Sequence, residues 1–281
     1  MLHQLRLLAL AAAAIILLVG TASAARSAGC GKTPTIRNGA TATISGRQYI
    51  VKLPDNYDRN KAHKLVFTFH ALGGTAQQVA NGGGGTIAYY GLPPLSNNSA
   101  IFVSPNGISN GWANQGGQDI TFVENIVKAV EADLCIETSL RFATGFSYGG
   151  GISFAWACAR PKDVRAIAPL SGSQLSGCQG GTEPVAYYGQ HGTSDSVLNV
   201  QGGRAMRDRF VRNNGCTAIS EPQPNGGKHV KVEYKNCKEG YPVTWVIHNG
   251  DHNPSQSDQG SNVAFAPKYS WDFFNQFQAK E

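Results

Sequence analysis

A serine, an aspartate and a histidine lie far apart in this chain, each just past an apolar run. Their order suits nucleophilic attack on an ester. Ser147 sits in "RFATGFSYGGG", where Gly145-Phe146-Ser147-Tyr148-Gly149 matches G-x-S-x-G. A strand-like run precedes it and a helical one, "GGGISFAWACA", follows, which is the setting that motif requires. A hydroxyl at its ordinary pKa is a poor nucleophile. It needs a base, and the base needs a carboxylate to orient it. When such a serine tops a mostly parallel sheet, the chain order is serine, acid, histidine, each at the end of its own strand. After Ser147, "EPVAYYGQHG" runs into "TSDSV" and offers Asp195; "YPVTWVIHNG" then runs into "DHNPS" and offers His252.

The rival groups fit less well. Asp163 follows the serine's helix too early, Asp208 lies within a helical pattern, and Asp258 comes too late. Asp251 is the chain neighbour of His252, and adjacent residues rarely point at each other. His248 and His252 are four apart, but a metal pair at that spacing needs a helix, which Asn249-Gly250 and Pro254 oppose. No cysteine belongs to a CxxC pair, so no metal site is expected. His248 is expected to pack at a strand end. His191 precedes the acid and reads as a loop brace, and His70 reads as shaping the loop after its strand. His63 and His229 sit in polar stretches and read as solvated.

Acyl transfer also needs donors for a developing oxyanion. The N–H of Tyr148, at the start of the serine's helix, is one. The second belongs on the loop "HALGGTA", where Gly73 and Gly74 permit close backbone approach. Leu72 is the preferred donor, with Ala71 the alternative. The chemistry needs no cofactor. An aromatic acyl group wants flat apolar walls, for which Trp112, Tyr148 and Tyr89 are candidates.

These residues need a scaffold, and the chain supplies one. "RQYIVKLP" alternates like an edge or antiparallel strand. "KLVFTFHA", "AIFVSPNG", "LRFATGFS", "VRAIAPLSG", "EPVAYYGQHG" and "YPVTWVIHNG" read as buried parallel strands. Helical patterns lie between them. In "DITFVENIVKAVEADLC", Ile120, Val123, Ile126, Val127 and Val130 share a stripe, and Thr121 with Glu124 makes a capping box. "QGGRAMRDRFVRNNG" and "KYSWDFFNQF" are further helices. Strand alternating with helix means an α/β fold, a mostly parallel sheet covered on both faces. The short "SGSQLSGCQGGT" between the sixth and seventh strands leaves no room for a lid.

Residues 1–24 read as a secretory signal: a weakly positive start, an apolar run "LLALAAAAIILLV" and an A-x-A site at Ala22-Ser23-Ala24. Residues 25–281 then form one catalytic domain, secreted and not membrane-bound. The formal net charge of +6 has no clustered basic run, which argues against nucleic-acid binding. The six cysteines, Cys30, Cys135, Cys158, Cys178, Cys216 and Cys237, read as disulfides in a secreted chain. Cys216 with Cys237 is the favoured pair, since both flank a short segment that can fold back. Asn97 heads an N-glycosylation sequon, Asn97-Asn98-Ser99. A monomer is expected.

Several segments together resemble the secreted fungal feruloyl esterases that lack a carbohydrate-binding module: "CGKTPTIRNG", "YIVKLPDNYD", "AYYGLPPL", "GWANQGGQDITFVENI", "RFATGFSYGGGISFAWACARP", "LSGSQLSGC", "HGTSDSVLNV", "RDRFVRNNGC" and "GDHNPSQ". That esterase group also contains acetylxylan esterases and polyhydroxybutyrate depolymerases. The resemblance implies an α/β-hydrolase fold, with Ser147 as nucleophile, Asp195 as acid and His252 as base. It implies hydrolysis of ferulic and related hydroxycinnamic esters on arabinoxylan or pectin. The oxyanion segment departs from the group's usual "HGC" and reads "HAL" here, a change a backbone donor tolerates. The alternatives are esterases of the same group acting on acetylated xylan or a polyester, and a non-catalytic wall-binding protein on the same scaffold.

Overall fold

A computed structural model describes residues 25–279; the signal read over residues 1–24 lies outside them. The strands are β1 (Thr41–Ile44), β2 (Arg47–Lys52), β3 (His63–Phe69), β4 (Ala100–Pro105), β5 (Ile136–Phe146), β6 (Ala166–Leu170), β7 (Ala186–Gly192), β8 (Val230–Glu233) and β9 (Val243–His248). The α-helices are α1 (Ala76–Asn81), α2 (Leu92–Leu95), α3 (Gln118–Asp133), α4 (Tyr148–Ala159), α5 (Val200–Asn213) and α6 (Phe265–Asn275).

One sheet holds all the strands in the order β1-β2-β4-β3-β5-β6-β7-β9-β8. From β4 to β9 the neighbours run parallel. Antiparallel strands close each side, β1 and β2 at one end and β8 at the other. Alternation along each strand splits the core in two. Leu65, Phe67, Ala143 and Tyr187 face α3, α4 and α5. Val66, Phe142, Tyr188 and Val246 face α1, α2 and α6. This layered architecture is the α/β-hydrolase fold. No helix among the described residues is long and apolar enough to cross a membrane.

The strand starting at Arg47 is antiparallel, as its alternation implied, and pairs with β1 and β4. One local expectation needs correction. The Thr121–Glu124 capping box does not form, since α3 begins earlier, at Gln118. Asn114 Oδ1 instead accepts from the Asp119 and Ile120 N–H groups, and Thr121 Oγ1 donates to the Gly117 carbonyl from inside the helix.

Three disulfides brace the fold: Cys30–Cys135, Cys158–Cys178 and Cys216–Cys237. The second ties the end of α4 to the β6–β7 connection. That connection contains no helix.

Candidate active site

Ser147, Asp195 and His252 follow β5, β7 and β9, so all three stand at the carboxyl edge of one run of parallel strands. Ser147 has φ 56° and ψ −115°, a conformation costly for a residue with a side chain. The fold imposes it by packing α4 hard against β3. A Cβ on Gly149 would lie 2.1 Å from the Phe69 carbonyl oxygen, and one on Gly145 2.5 Å from the Gly149 carbonyl carbon. Only glycine fits either position. The Ser147 N–H donates to the Leu170 carbonyl at 2.9 Å, which locks the turn to β6.

Asp195 and His252 meet. His252 Nδ1 lies 2.7 Å from Asp195 Oδ2, and the Asp195 side chain is fully buried. Asp195 Oδ1 accepts from the Val197 and Leu198 N–H groups at 2.9 and 2.7 Å. The carboxylate accepts on both oxygens, so Nδ1 of His252 carries a proton, and Nε2 is the ring nitrogen without a partner among the described residues. The imidazole packs on Phe146, ring centres 4.4 Å apart, which sets it beside the residue preceding Ser147. Ser147 Oγ itself makes no side-chain hydrogen bond among the described residues. Such links are often loose in a resting site and tighten with substrate.

Asp251 has a task that its sequence position hides. It accepts from Ser196 N–H (2.7 Å), Ser196 Oγ–H (2.8 Å) and His252 N–H (2.7 Å). It therefore clamps the loop of Asp195 to the loop of His252. The Ser196 backbone bond, with those from His252 N–H and Ser196 Oγ, holds its pKa below the usual carboxylate range.

The loop after β3, which carries Leu72, is held by a buried network. His70 Nδ1 lies 2.7 Å from the Ala71 carbonyl, and His70 Nε2 accepts the Gly107 N–H at 2.9 Å. The proton is therefore on Nδ1. Burial lowers the His70 pKa to about 4, which keeps this arrangement neutral. Gly74 N–H also donates to the Ala71 carbonyl. In a trans peptide, C=O and N–H point opposite ways, so fixing Ala71 O fixes the direction of the Leu72 N–H. Leu72 and Tyr148 flank the same spot: a Cβ on Gly111 would lie 3.4 Å from Leu72 Cδ1 and 3.2 Å from Tyr148 Cε1.

Two proposed aromatic walls do not reach solvent. Trp112 is fully buried, donates from Nε1 to the His70 carbonyl at 2.9 Å, and supports the loop after β3. Tyr89 is 4% exposed and packs on Phe102 in the second core. Neither has a face to offer an incoming acyl group. Tyr148 is partly exposed.

The remaining histidines among the described residues are all engaged. His248 is buried, with burial lowering its pKa to about 4, and its Nδ1 accepts the Gly250 N–H. His191 braces the acid's loop, Nε2 lying 2.8 Å from the Leu198 carbonyl and 3.1 Å from Asp195 Oδ2. His63 and His229 are not solvated as their polar surroundings suggest. His63 is buried against Tyr57 at the start of β3. His229 bonds Asp258 at 2.8 Å and the Tyr269 hydroxyl at 2.9 Å.

Larger clefts lie elsewhere. One of about 590 Å³, lined by Arg165, Lys235 and Lys238 among others, sits at the amino edge of the sheet and contains none of these groups.

No family model matches the chain. Similar proteins do. Feruloyl esterase D of Neurospora crassa is 56% identical over 267 residues, covering 91% of this chain and 92% of its own. An acetyl xylan esterase from Aspergillus awamori superposes with a TM-score of 0.63 at 14% identity, over 84% of this chain and 98% of its own. A ferulic acid esterase from Anaeromyces mucronatus, solved with ferulic acid, gives a TM-score of 0.56 at 16% identity, over 88% and 93%. At such low identity the two structures speak for the fold. The sequence relative speaks for more: the chain belongs to the feruloyl esterase family of carboxylic ester hydrolases.

Proposed function

We propose that the protein hydrolyses ferulic and related hydroxycinnamic esters on plant cell-wall polysaccharides such as arabinoxylan or pectin, with Ser147 as nucleophile. The observation that carries this reading is the Asp195–His252 hydrogen bond beside a serine held in a strained turn, in a chain more than half identical to a feruloyl esterase. His252 Nε2 takes the Ser147 proton as Oγ attacks the ester carbonyl. Asp195 orients the imidazole and stabilises its cation. The N–H groups of Leu72 and Tyr148 receive the oxyanion. His252 protonates the departing sugar alkoxide, and water then cleaves the acyl-enzyme by the same route in reverse.

The surroundings suit an aromatic acyl group on a polymer. Exposed apolar side chains sit on loops leaving the carboxyl ends of five parallel strands: Leu72, Ile108, Leu175, Val197 and Val263. A cleft of about 170 Å³ lined by Ala71, Leu72, Thr86, Tyr90 and Phe146 lies beside the proposed oxyanion donors. The helix-free β6–β7 connection leaves the serine's edge open to a side branch. We assign the chain to the extracellular space, as one catalytic domain over residues 25–281, on the strength of its three disulfides. The exposed Asn97, on a turn with φ 46°, is the proposed glycan acceptor.

The test is a substrate panel of methyl ferulate, acetylated xylan and polyhydroxybutyrate. Release of ferulate is expected to dominate. Release of acetate or hydroxybutyrate without any ferulate would replace this substrate assignment with that of the esterases acting on those polymers.

A further inference from the structure

Asp195 Oδ2 has two imidazoles on it. His252 Nδ1 lies 2.7 Å away and His191 Nε2 3.1 Å away. The serine mechanism uses only the first. The geometry points to His191 as a positioning residue for the triad acid: a permanently neutral ring whose Nε2–H is anchored on Leu198 O and lies against Oδ2, where it limits how strongly the carboxylate holds the imidazolium.

The tautomer of His191 follows from its contacts. Leu198 O is only an acceptor and lies 2.8 Å from Nε2, so Nε2 carries the proton and donates it to Leu198 O, with Asp195 Oδ2 3.1 Å from the same nitrogen. Nδ1 is then bare. It is buried and has no hydrogen-bond partner. Helix α5 is pressed against it, so that a Cβ on Gly203 would lie 2.3 Å from this nitrogen. A second proton on His191 would be a buried N–H with no acceptor, which is costly. The charged groups facing the ring are few. Asp195 lies on its own loop, and His252 and His248 come from β9 and the loop after it. Trp245 of β9 supplies an apolar face. Burial dominates and holds the His191 pKa below its ordinary value, despite Asp195.

The consequence is a division of labour on one carboxylate. Val197 and Leu198 N–H groups hold Oδ1, and the His191 ring, anchored on Leu198 O, lies 3.1 Å from Oδ2. All three are fixed in charge. Only the His252 bond changes charge during turnover. Removing the His191 donor would free Oδ2 to swing and would direct its full charge at His252. The base would then be protonated up to a higher pH.

The assignment rests on Asp195 and His252 being acid and base, and the experiment separates the two claims. His191→Gln keeps an amide donor near the position of Nε2; His191→Phe keeps bulk and removes the donor. The Gln variant is expected to stay within a few fold of wild-type kcat with an unmoved pH profile. The Phe variant is expected to lose roughly ten- to a hundredfold in kcat, the range of leaving one buried hydrogen-bonding group unpaired, with KM nearly unchanged and the acid limb of its profile moved to higher pH. Equal losses in both variants, or a wild-type profile in the Phe variant, would overturn the assignment. If the Phe variant does not fold, nitrogen-edited NMR of the wild type decides. His191 should remain the neutral Nε2–H tautomer down through the working pH range, and an Nδ1–H tautomer or a cation there would refute it. Activity surviving Ser147→Ala or Asp195→Asn would instead bring down the triad reading on which this one stands.

Discussion

At the scale of single residues, the account turns on which histidine is free to work. His252 donates Nδ1–H to Asp195 and keeps Nε2 available, whereas His248 is buried and accepts from Gly250 N–H. His252→Ala should therefore lower kcat by several orders of magnitude, while His248→Ala should cost far less. Steady-state kinetics on methyl ferulate compares them, and equal losses would leave the assignment of the base unsupported. The placement of these residues was legible in the chain itself, because a G-x-S-x-G between strand and helix and an aspartate and histidine past later strands are local patterns. What was not legible is partnership across the fold. Trp112 looks like a ligand wall in a polar loop, yet its indole N–H is committed to the His70 carbonyl. His229 looks solvated between lysine neighbours, yet Asp258, Tyr269 and Phe265 enclose it. Nothing in local sequence reports contacts made by residues 29 to 40 positions away.

At the scale of elements, the site is a meeting of loops, and Asp251 is the clamp between two of them. Losing it frees Ser196 and the His252 N–H together. Asp251→Ala should lower kcat by roughly tenfold through misalignment of acid and base, while thermal stability changes little because the side chain is on the surface. Unchanged kcat, or a large drop in melting temperature with the activity loss, would contradict the clamp. The inner strands were readable as apolar runs ending in Gly, Pro or Asn, since both their faces are covered. The edge strands β1 and β8 were not. Each is four residues long and only partly buried, so pairing with a neighbour makes them strands, with little signal of their own. The start of α3 was misread for a related reason: Asn114, outside the helix, supplies the cap that Thr121 was expected to give.

At the scale of the molecule, buried neutral histidines tie stability to pH. His70 and His248 are lowered to about 4, and His63 and His191 are lowered as well, all mainly by burial. In the unfolded chain each titrates near 6.5. As pH falls from about 6.5 towards 4, the unfolded chain takes up protons that the folded one refuses, so stability is lost over that window and is flat above it with respect to these groups. Each such histidine contributes up to about 1.4 kcal/mol per pH unit. Melting temperature should fall across this range, and His248→Gln should flatten part of the slope; a melting temperature independent of pH would contradict the burial of neutral imidazoles. The central claim is narrower, that ferulate esters are cleaved through Ser147. Turnover of methyl ferulate by wild type and by Ser147→Ala tests it most directly. The account predicts rapid release of ferulate by the wild type and loss of turnover by several orders of magnitude in the folded variant; release that survives the substitution, or a wild type that releases none, would contradict it.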